Sequence, residues 1–202
     1  VETTPAPFPA PAAPLAPRAD EDPHAPVIEV HAPADVPAPS ALSSETALLT
    51  DALTRLRQQK DARGALAALD AYDARFPNGT LRREATGARV DALLMLGRDE
   101  DALAVLHELT LQPQGRDQEL RVIRGELAAK ASCASAVSDF DRVLAEAAPR
   151  ALAERALHGR ASCLERLGEG AAATRDLREY LRRFPDGRFA AETRRALSQS
   201  NL

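Results

Sequence analysis

The apolar residues of this chain follow a helical rhythm from Ser43 onward. They recur every three or four positions, as they do on the buried face of an α-helix. One such stripe covers residues 48–56, and after a break at Lys60-Asp61 a second covers residues 62–76. Three further pairs of stripes follow, and a last single stripe covers residues 188–199. The pattern predicts an all-α domain of four helix pairs closed by one C-terminal capping helix.

Prolines divide these pairs into units of equal length. Pro77, Pro113, Pro149 and Pro185 stand 36 residues apart, and a proline cannot continue a helix because it lacks the N–H donor. A period in the middle thirties made of two helices is typical of α-solenoids. The sequence therefore predicts a right-handed solenoid with units at residues 44–79, 80–115, 116–150 and 151–187 and a cap at 188–199.

The first 42 residues have a different composition. Eleven of the fifteen prolines lie there, alternating with alanine as in Pro5-Ala6-Pro7. Such a segment buries too little apolar surface to offset the entropy of ordering it. We therefore expect residues 1–42 to be a disordered linker and residues 43–202 to be the folded domain. A PxxP ligand for an SH3-type domain is the alternative interpretation of this segment, and a spacer is the simpler one.

Charge and motif content exclude several functions. The net charge is −4, but residues 1–43 hold six acids and one arginine, so the folded part is close to neutral. Without a basic stripe interleaved with aromatic residues, nothing favours a nucleic-acid partner. The chain has no HExxH, CxxC, GxSxG or P-loop motif, so we expect no enzyme, cofactor or metal. Asp99, Glu100 and Asp101 suit the first turn of a helix better than a metal site.

The units resemble the tetratricopeptide repeat. That family has a small residue in the first helix, a Leu-Gly turn, an alanine early in the second helix, an apolar residue four positions later, and a terminal proline. The fourth unit matches best, with Ala161, Leu167-Gly168, Ala173, Leu177 and Pro185. The first unit departs from the pattern, because Gln59-Lys60 stands where Leu-Gly belongs. The resemblance covers about residues 44–187 and implies a fold that binds other proteins.

A second resemblance points to the bacterial cell envelope. The motif Tyr72-x-x-x-Phe76-Pro77-x-Gly79 recurs three units later, and it resembles repeats of the periplasmic Tol-Pal coordinator and of outer-membrane-barrel assembly lipoproteins. This resemblance implies a non-catalytic adaptor or scaffold, either periplasmic or membrane-anchored and facing the periplasm. A Pro/Ala-rich spacer before such an array also resembles the extracytoplasmic half of single-span anti-sigma-type regulators. The alternative is therefore an extracytoplasmic sensor domain. Any membrane attachment is expected from a segment ahead of Val1.

The tetratricopeptide resemblance also implies a binding face. In that family the first helix of each unit lines a concave groove that holds a protein or peptide partner. Aligning the units places an apolar spot at Leu94 and Met95 and a basic second half, and the alternative is a solvated face without a ligand. The residues expected to bind the partner are Arg57, Asp91, Leu94, Met95, Arg121, Arg155, His158 and Arg166.

The two cysteines of the chain are expected to form a disulfide. The tetratricopeptide arrangement packs successive helices antiparallel, so that the start of one lies near the end of the next. Cys133 begins a second helix and Cys163 lies late in the following first helix, so the resemblance implies that the thiols meet. Such a bond would indicate an oxidising compartment. Two free buried cysteines are the alternative.

Overall fold

The computed structural model describes residues 40–199, which form nine α-helices and no β-strand. The helices are α1 (Ala41–Arg57), α2 (Ala62–Arg75), α3 (Arg82–Met95), α4 (Asp99–His107), α5 (Arg116–Ala128), α6 (Cys133–Ala145), α7 (Arg150–Arg166), α8 (Gly170–Arg183) and α9 (Ala190–Gln199). This part of the chain is all-α, as the sequence pattern predicts. None of these helices combines the length and apolar character needed to cross a membrane.

The first helix begins earlier than the sequence pattern predicts. Ser40 caps α1, because its hydroxyl oxygen accepts a hydrogen bond from the Ser43 N–H at 3.1 Å. The linker predicted over residues 1–42 is therefore wrong at Ala41 and Leu42, which are helical. The rest of that prediction, residues 1–39, lies outside the described residues.

Packing runs along the sequence. Each helix contacts the next one, and α1 also contacts α3 while α5 also contacts α7. Alanine, leucine and valine fill most of the core, and the largest fully buried side chains are those of Tyr72, Phe140, Tyr180 and Phe184. Because the small side chains let helices approach closely, the first helices of successive pairs come to lie near one another.

Left-handed backbone conformations shape three of the turns between paired helices. Gly97 and Gly168 precede α4 and α8 by two residues and have φ of 68° and 81°. Lys60 holds the same place before α2 with φ of 57°, and among residues 40–199 it is the one non-glycine residue with positive φ. A side chain in this conformation brings its Cβ too close to the backbone carbonyl. The first unit therefore carries strain where the second and fourth units have glycine.

Replacing Lys60 by glycine is expected to stabilise the protein. The gain in the free energy of unfolding is expected to be about 0.5–1 kcal/mol, since relief of the left-handed strain exceeds the added entropy of the unfolded chain. Urea unfolding followed by circular dichroism measures the change, with Lys60→Ala as the control that keeps a Cβ. Equal stability of the glycine and alanine variants would contradict the strain at this turn.

A glutamate completes each copy of the repeated Tyr-Phe-Pro-Gly motif. In the first copy, Glu45 accepts hydrogen bonds from the Tyr72 hydroxyl and, at 2.6 Å, from the Leu81 N–H. The Tyr72 hydrogen bond is the main reason that the pKa of Glu45 lies below its ordinary value. A Cβ at Gly79 would overlap the Glu45 carboxylate, so glycine lets the chain pass over this pair. We call this arrangement the first glutamate–tyrosine junction.

The second glutamate–tyrosine junction repeats it three units later. Glu154 accepts from the Tyr180 hydroxyl and from the Arg188 N–H, both at 2.6 Å. Burial, followed by this hydrogen bond, raises the pKa of Tyr180 to about 12. A Cβ at Gly187 would lie 2.6 Å from the Tyr180 hydroxyl. Each junction thus joins the two helices of a pair to the loop that leads into the next helix.

Phe140 joins three helices in the middle of the domain. Its ring, on α6, is fully buried and lies against Gly125 on α5 and Gly159 on α7. A Cβ at Gly125 or Gly159 would come within 2.7 or 2.6 Å of ring atoms, closer than carbon atoms approach without displacement. The two glycines therefore leave room for the ring.

Candidate protein-binding groove

The first helices of three successive pairs enclose a groove of about 590 Å³. This volume lies within the range of about 300–1,000 Å³ that is usual for ligand sites. We call it the α1–α3–α5 groove. Apolar side chains from all three helices and one glycine form its floor, namely Leu49, Leu53, Gly87, Ala88 and Leu120. Above them lie charged residues and two glutamines of the loop before α5.

Gly87 leaves the middle of the floor open. Within residues 40–199, no heavy atom beyond its own stretch of helix lies within 4 Å of the position that a Cβ would take. Gly87 lies in the interior of α3, where glycine costs about 0.5–1 kcal/mol relative to alanine. Its backbone does not have a positive φ. The residue therefore contributes space to the groove.

One wall of the groove is fixed by an Arg83–Asp117 ion pair. Arg83 also donates to the Thr110 carbonyl at 3.0 Å, and Asp117 also accepts from the Gln112 N–H at 2.7 Å. Burial acts to raise the pKa of Asp117, but the hydrogen bonds from Arg83 and Gln112 outweigh it and the pKa lies below the ordinary value. These contacts hold the loop before α5 against α3.

Asp91 lies further along α3 than Arg83 on the same lining, and its charge is less fully compensated. Arg116 forms an ion pair with Asp91 and a second one with Glu119 at 2.5 Å. Burial raises the pKa of Asp91 above its ordinary value, and the attraction of Arg116 does not offset it. Asp91 is therefore a half-buried carboxylate whose ionised form a further hydrogen-bond donor would stabilise.

Two of the residues expected to bind a partner line this groove. They are Arg57, which is exposed near the end of α1, and Asp91. Leu94 packs instead against the core cluster around Leu93 and Leu106, and Met95 is 46% exposed. Neither Leu94 nor Met95 lines the groove. The apolar surface comes from the floor residues, two of which, Leu49 and Leu53, also belong to the core stripe of α1.

The expectation for Arg121 is wrong. Its side chain is 3% exposed and donates to Glu146 and to the Leu111 carbonyl, each at 2.5 Å. Because the guanidinium is enclosed by these partners, it is not offered to a ligand. Arg121 instead holds the loop before α5 and the end of α6 together.

The remaining three expected residues lie on α7, and each makes contacts within the fold. Arg155 binds Glu126 through two hydrogen bonds of 2.9 and 2.6 Å. Arg166 is exposed and donates to the Ala129 carbonyl at 2.6 Å. His158 stacks on Phe189, with ring centroids 4.0 Å apart and planes within 8°. These three residues connect α7 to α5 and to the capping region.

The stack of His158 on Phe189, just before α9, is expected to weaken in acid. Burial lowers the pKa of His158, with a smaller contribution of the same sign from Arg188, while Glu192, Glu126 and Glu154 act in the opposite direction. A base whose folded-state pKa is lowered contributes stability that is present above its ordinary pKa and is lost as the pH falls. Protonation therefore works against the stack on Phe189.

We expect His158→Phe to reduce the acid sensitivity of the protein. Phenylalanine keeps an aromatic ring beside Phe189 but does not titrate, so the fall in the free energy of unfolding between about pH 7.5 and pH 5.5 should be smaller than in the wild type. Urea unfolding at both pH values measures the difference. His107→Phe is the control on α4, and an unchanged pH dependence in His158→Phe would contradict the assignment.

The two cysteines lie in one buried cluster with Phe140 and Val143. Both are free thiols in this structure. Burial and, next, a hydrogen bond with Cys133 raise the pKa of Cys163 to about 12. The thiols are therefore neighbours, as the helix arrangement implies, and the disulfide itself stays a prediction.

Metal binding finds no support in the described part of the chain. Within residues 40–199 no three side chains of histidine, cysteine, aspartate or glutamate are grouped so that they could hold an ion. Asp99 pairs with Lys130, and Asp101 pairs with Arg98 at 2.7 Å.

Comparison with known proteins leaves the family open. No protein-family model and no curated protein matches the chain. The tetratricopeptide resemblance therefore stays a prediction from the sequence.

Proposed function

We propose that this chain is a non-catalytic protein-binding scaffold or adaptor of the bacterial cell envelope, built as a right-handed tetratricopeptide-like solenoid. The observation that carries the proposal is the α1–α3–α5 groove, with its apolar floor and the open space over Gly87. Hydrophobic recesses of this kind take the apolar side chains of a bound segment.

Two features support the solenoid. Paired helices follow one another with contacts between neighbours in sequence, and first helices of successive pairs touch at α1–α3 and α5–α7. The glutamate–tyrosine junctions recur at equivalent places in the first and fourth units. A stack of equivalent units is the arrangement in which each unit buries its apolar face against the next.

The fixed walls of the groove favour binding over chemistry. Arg83 and Asp117 hold each other and the loop before α5, and Arg116 is held between Asp91 and Glu119. A preformed recess loses little entropy when a partner docks, since its side chains are already ordered. The groove contains no histidine, cysteine or serine among its lining residues that would serve as a nucleophile or base.

Site-specific photo-crosslinking in cells tests this function. A photoreactive phenylalanine analogue replaces Gln114, an exposed residue of the groove lining, or, as a control, Gly170, which is exposed on α8. We expect a defined protein adduct from position 114 and none from position 170. Adducts from position 170 alone, or from neither position, would contradict the proposal.

The extracytoplasmic sensor of an anti-sigma-type regulator is the second candidate. The observation in its favour is the adjacent thiol pair, Cys133 and Cys163, in the cluster that also contains Phe140. Oxidation of this pair would connect the compartment's redox state to the stability of the middle of the domain.

We expect Cys133 and Cys163 to be joined by a disulfide in protein purified from its natural compartment. The bond would stabilise the fold by about 3–4 kcal/mol according to the chain-entropy relation. Intact mass after alkylation of unreduced, denatured protein measures it, with a reduced sample as control. If both thiols alkylate without reduction, the bond is absent, and the sensor loses its supporting observation.

A further inference from the structure

We infer that the α1–α3–α5 groove selects a protein segment in which a lysine or arginine stands beside apolar residues. This inference rests on the proposed function and names the chemistry of the partner. Two observations support it. The floor of the groove is apolar, and some of the charged residues on its walls already have partners of opposite charge within the fold while others do not.

The carboxylates of the lining have unused hydrogen-bonding capacity. An ionised carboxylate offers about four acceptor positions. Arg116 donates to Asp91 with a single nitrogen while its other nitrogen serves Glu119, so Asp91 keeps free acceptor positions on the wall. Glu84 lies on the same lining and is exposed. A cationic side chain that enters the groove beside an apolar one therefore finds carboxylate acceptors on the lining.

The arginines of the lining have less free hydrogen-bonding capacity for an acidic partner than the carboxylates have for a basic one. Arg83 is bound by Asp117 and the Thr110 carbonyl, and Arg116 is bound by two carboxylates. Arg57 is exposed to water, and its charge acts on Asp91. An acidic side chain entering the groove would meet the partly compensated charge of Asp91 and the exposed Glu84, so like-charge repulsion disfavours it.

A phage-displayed library of random peptides of about 12 residues, panned on the full chain, tests the inference. Selection on Gly87→Phe, with Gly170→Phe as the matched control, identifies the peptides that depend on the groove. We expect these peptides to carry lysine or arginine next to apolar residues. We also expect a synthetic representative to lose about tenfold or more in affinity on Asp91→Asn, the effect of one charged hydrogen bond.

The outcomes separate the inference from the proposed function. When norleucine replaces the basic residue of the peptide, Asp91→Asn should cause no further loss of affinity. If the Asp91→Asn variant does not fold, Glu84→Gln provides the same comparison. Groove-dependent peptides that are acidic or purely apolar would overturn the preference for a basic residue and leave the protein-binding function standing. The absence of any Gly87-dependent peptide would overturn both.

Discussion

Phe140→Ala is expected to lower the free energy of unfolding by about 3–5 kcal/mol, the usual cost of removing a fully buried aromatic ring. The ring packs between α5 and α7 against Gly125 and Gly159, so on these two sides the cavity would be bordered by glycines, which have no side chain to fill it. Urea unfolding followed by circular dichroism measures the loss. Met95→Ala, at an exposed position, is the control and should change stability by less than about 0.5 kcal/mol.

Two glycines provide the complementary test of the same packing. Gly159→Ala places a methyl group against the Phe140 ring and is expected to cost about 1–3 kcal/mol. Gly87→Ala, also in a helix interior but facing open space, is expected to stabilise by about 0.5–1 kcal/mol. Effects of the same sign at both positions would contradict the packing around Phe140.

Gly187→Ala is expected to destabilise the protein by about 1–3 kcal/mol through the second glutamate–tyrosine junction. The added methyl group would overlap the Glu154 carboxylate and the Tyr180 hydroxyl, which are hydrogen-bonded to each other. Moving them apart leaves a buried hydroxyl without its acceptor. Thermal and urea unfolding measure the effect.

The first junction supplies a parallel measurement, and an open glycine supplies the control. Gly79→Ala should act in the same direction, because its Cβ would overlap the Glu45 carboxylate in the same way. Gly170→Ala has open space and should be neutral or stabilising. Unchanged stability in both Gly79→Ala and Gly187→Ala would mean that the junctions do not hold the loops.

The helices were predictable because their signal is local. Apolar residues at intervals of three and four mark each buried face, and the prolines mark where units end. The start of α1 at Ala41 was missed because the Pro/Ala-rich composition extends up to the capping residue Ser40. The turn at Lys60 was visible in the sequence as a break between two apolar stripes. Its left-handed backbone conformation is the one that Gly97 and Gly168 adopt at the equivalent turns.

Contacts between distant residues were harder to predict. Glu45 and Glu154 lie 27 and 26 residues before their tyrosines, and a lone glutamate on a helix gives no sign of such a distant partner. Arg121 was placed on the binding face by repeat alignment, but Glu146 and the Leu111 carbonyl enclose it. The sequence pattern within one repeat does not show which residues of neighbouring repeats will bury its side chains.

The groove was predicted in part, for the same reason. The alignment of the units placed Arg57 and Asp91 on the face formed by the first helices, and both line the groove. Leu49 and Leu53 were assigned to the core alone, since a leucine that borders both core and groove has the same periodicity as a core leucine. The space over Gly87 depends on how α1, α3 and α5 are positioned together, which periodicity within one helix does not specify.

The affinity of the crosslinked partner for Gly87→Phe tests the central claim most directly. The Cβ of the phenylalanine meets no atom outside its own stretch of helix within 4 Å in the described chain, so the variant is expected to fold, and thermal unfolding checks this. The account predicts that affinity, measured by fluorescence anisotropy, falls by about tenfold or more in Gly87→Phe and stays at the wild-type value in Gly170→Phe. Equal affinity of a folded Gly87→Phe variant and the wild type would show that the partner binds elsewhere and would contradict the assignment of the groove.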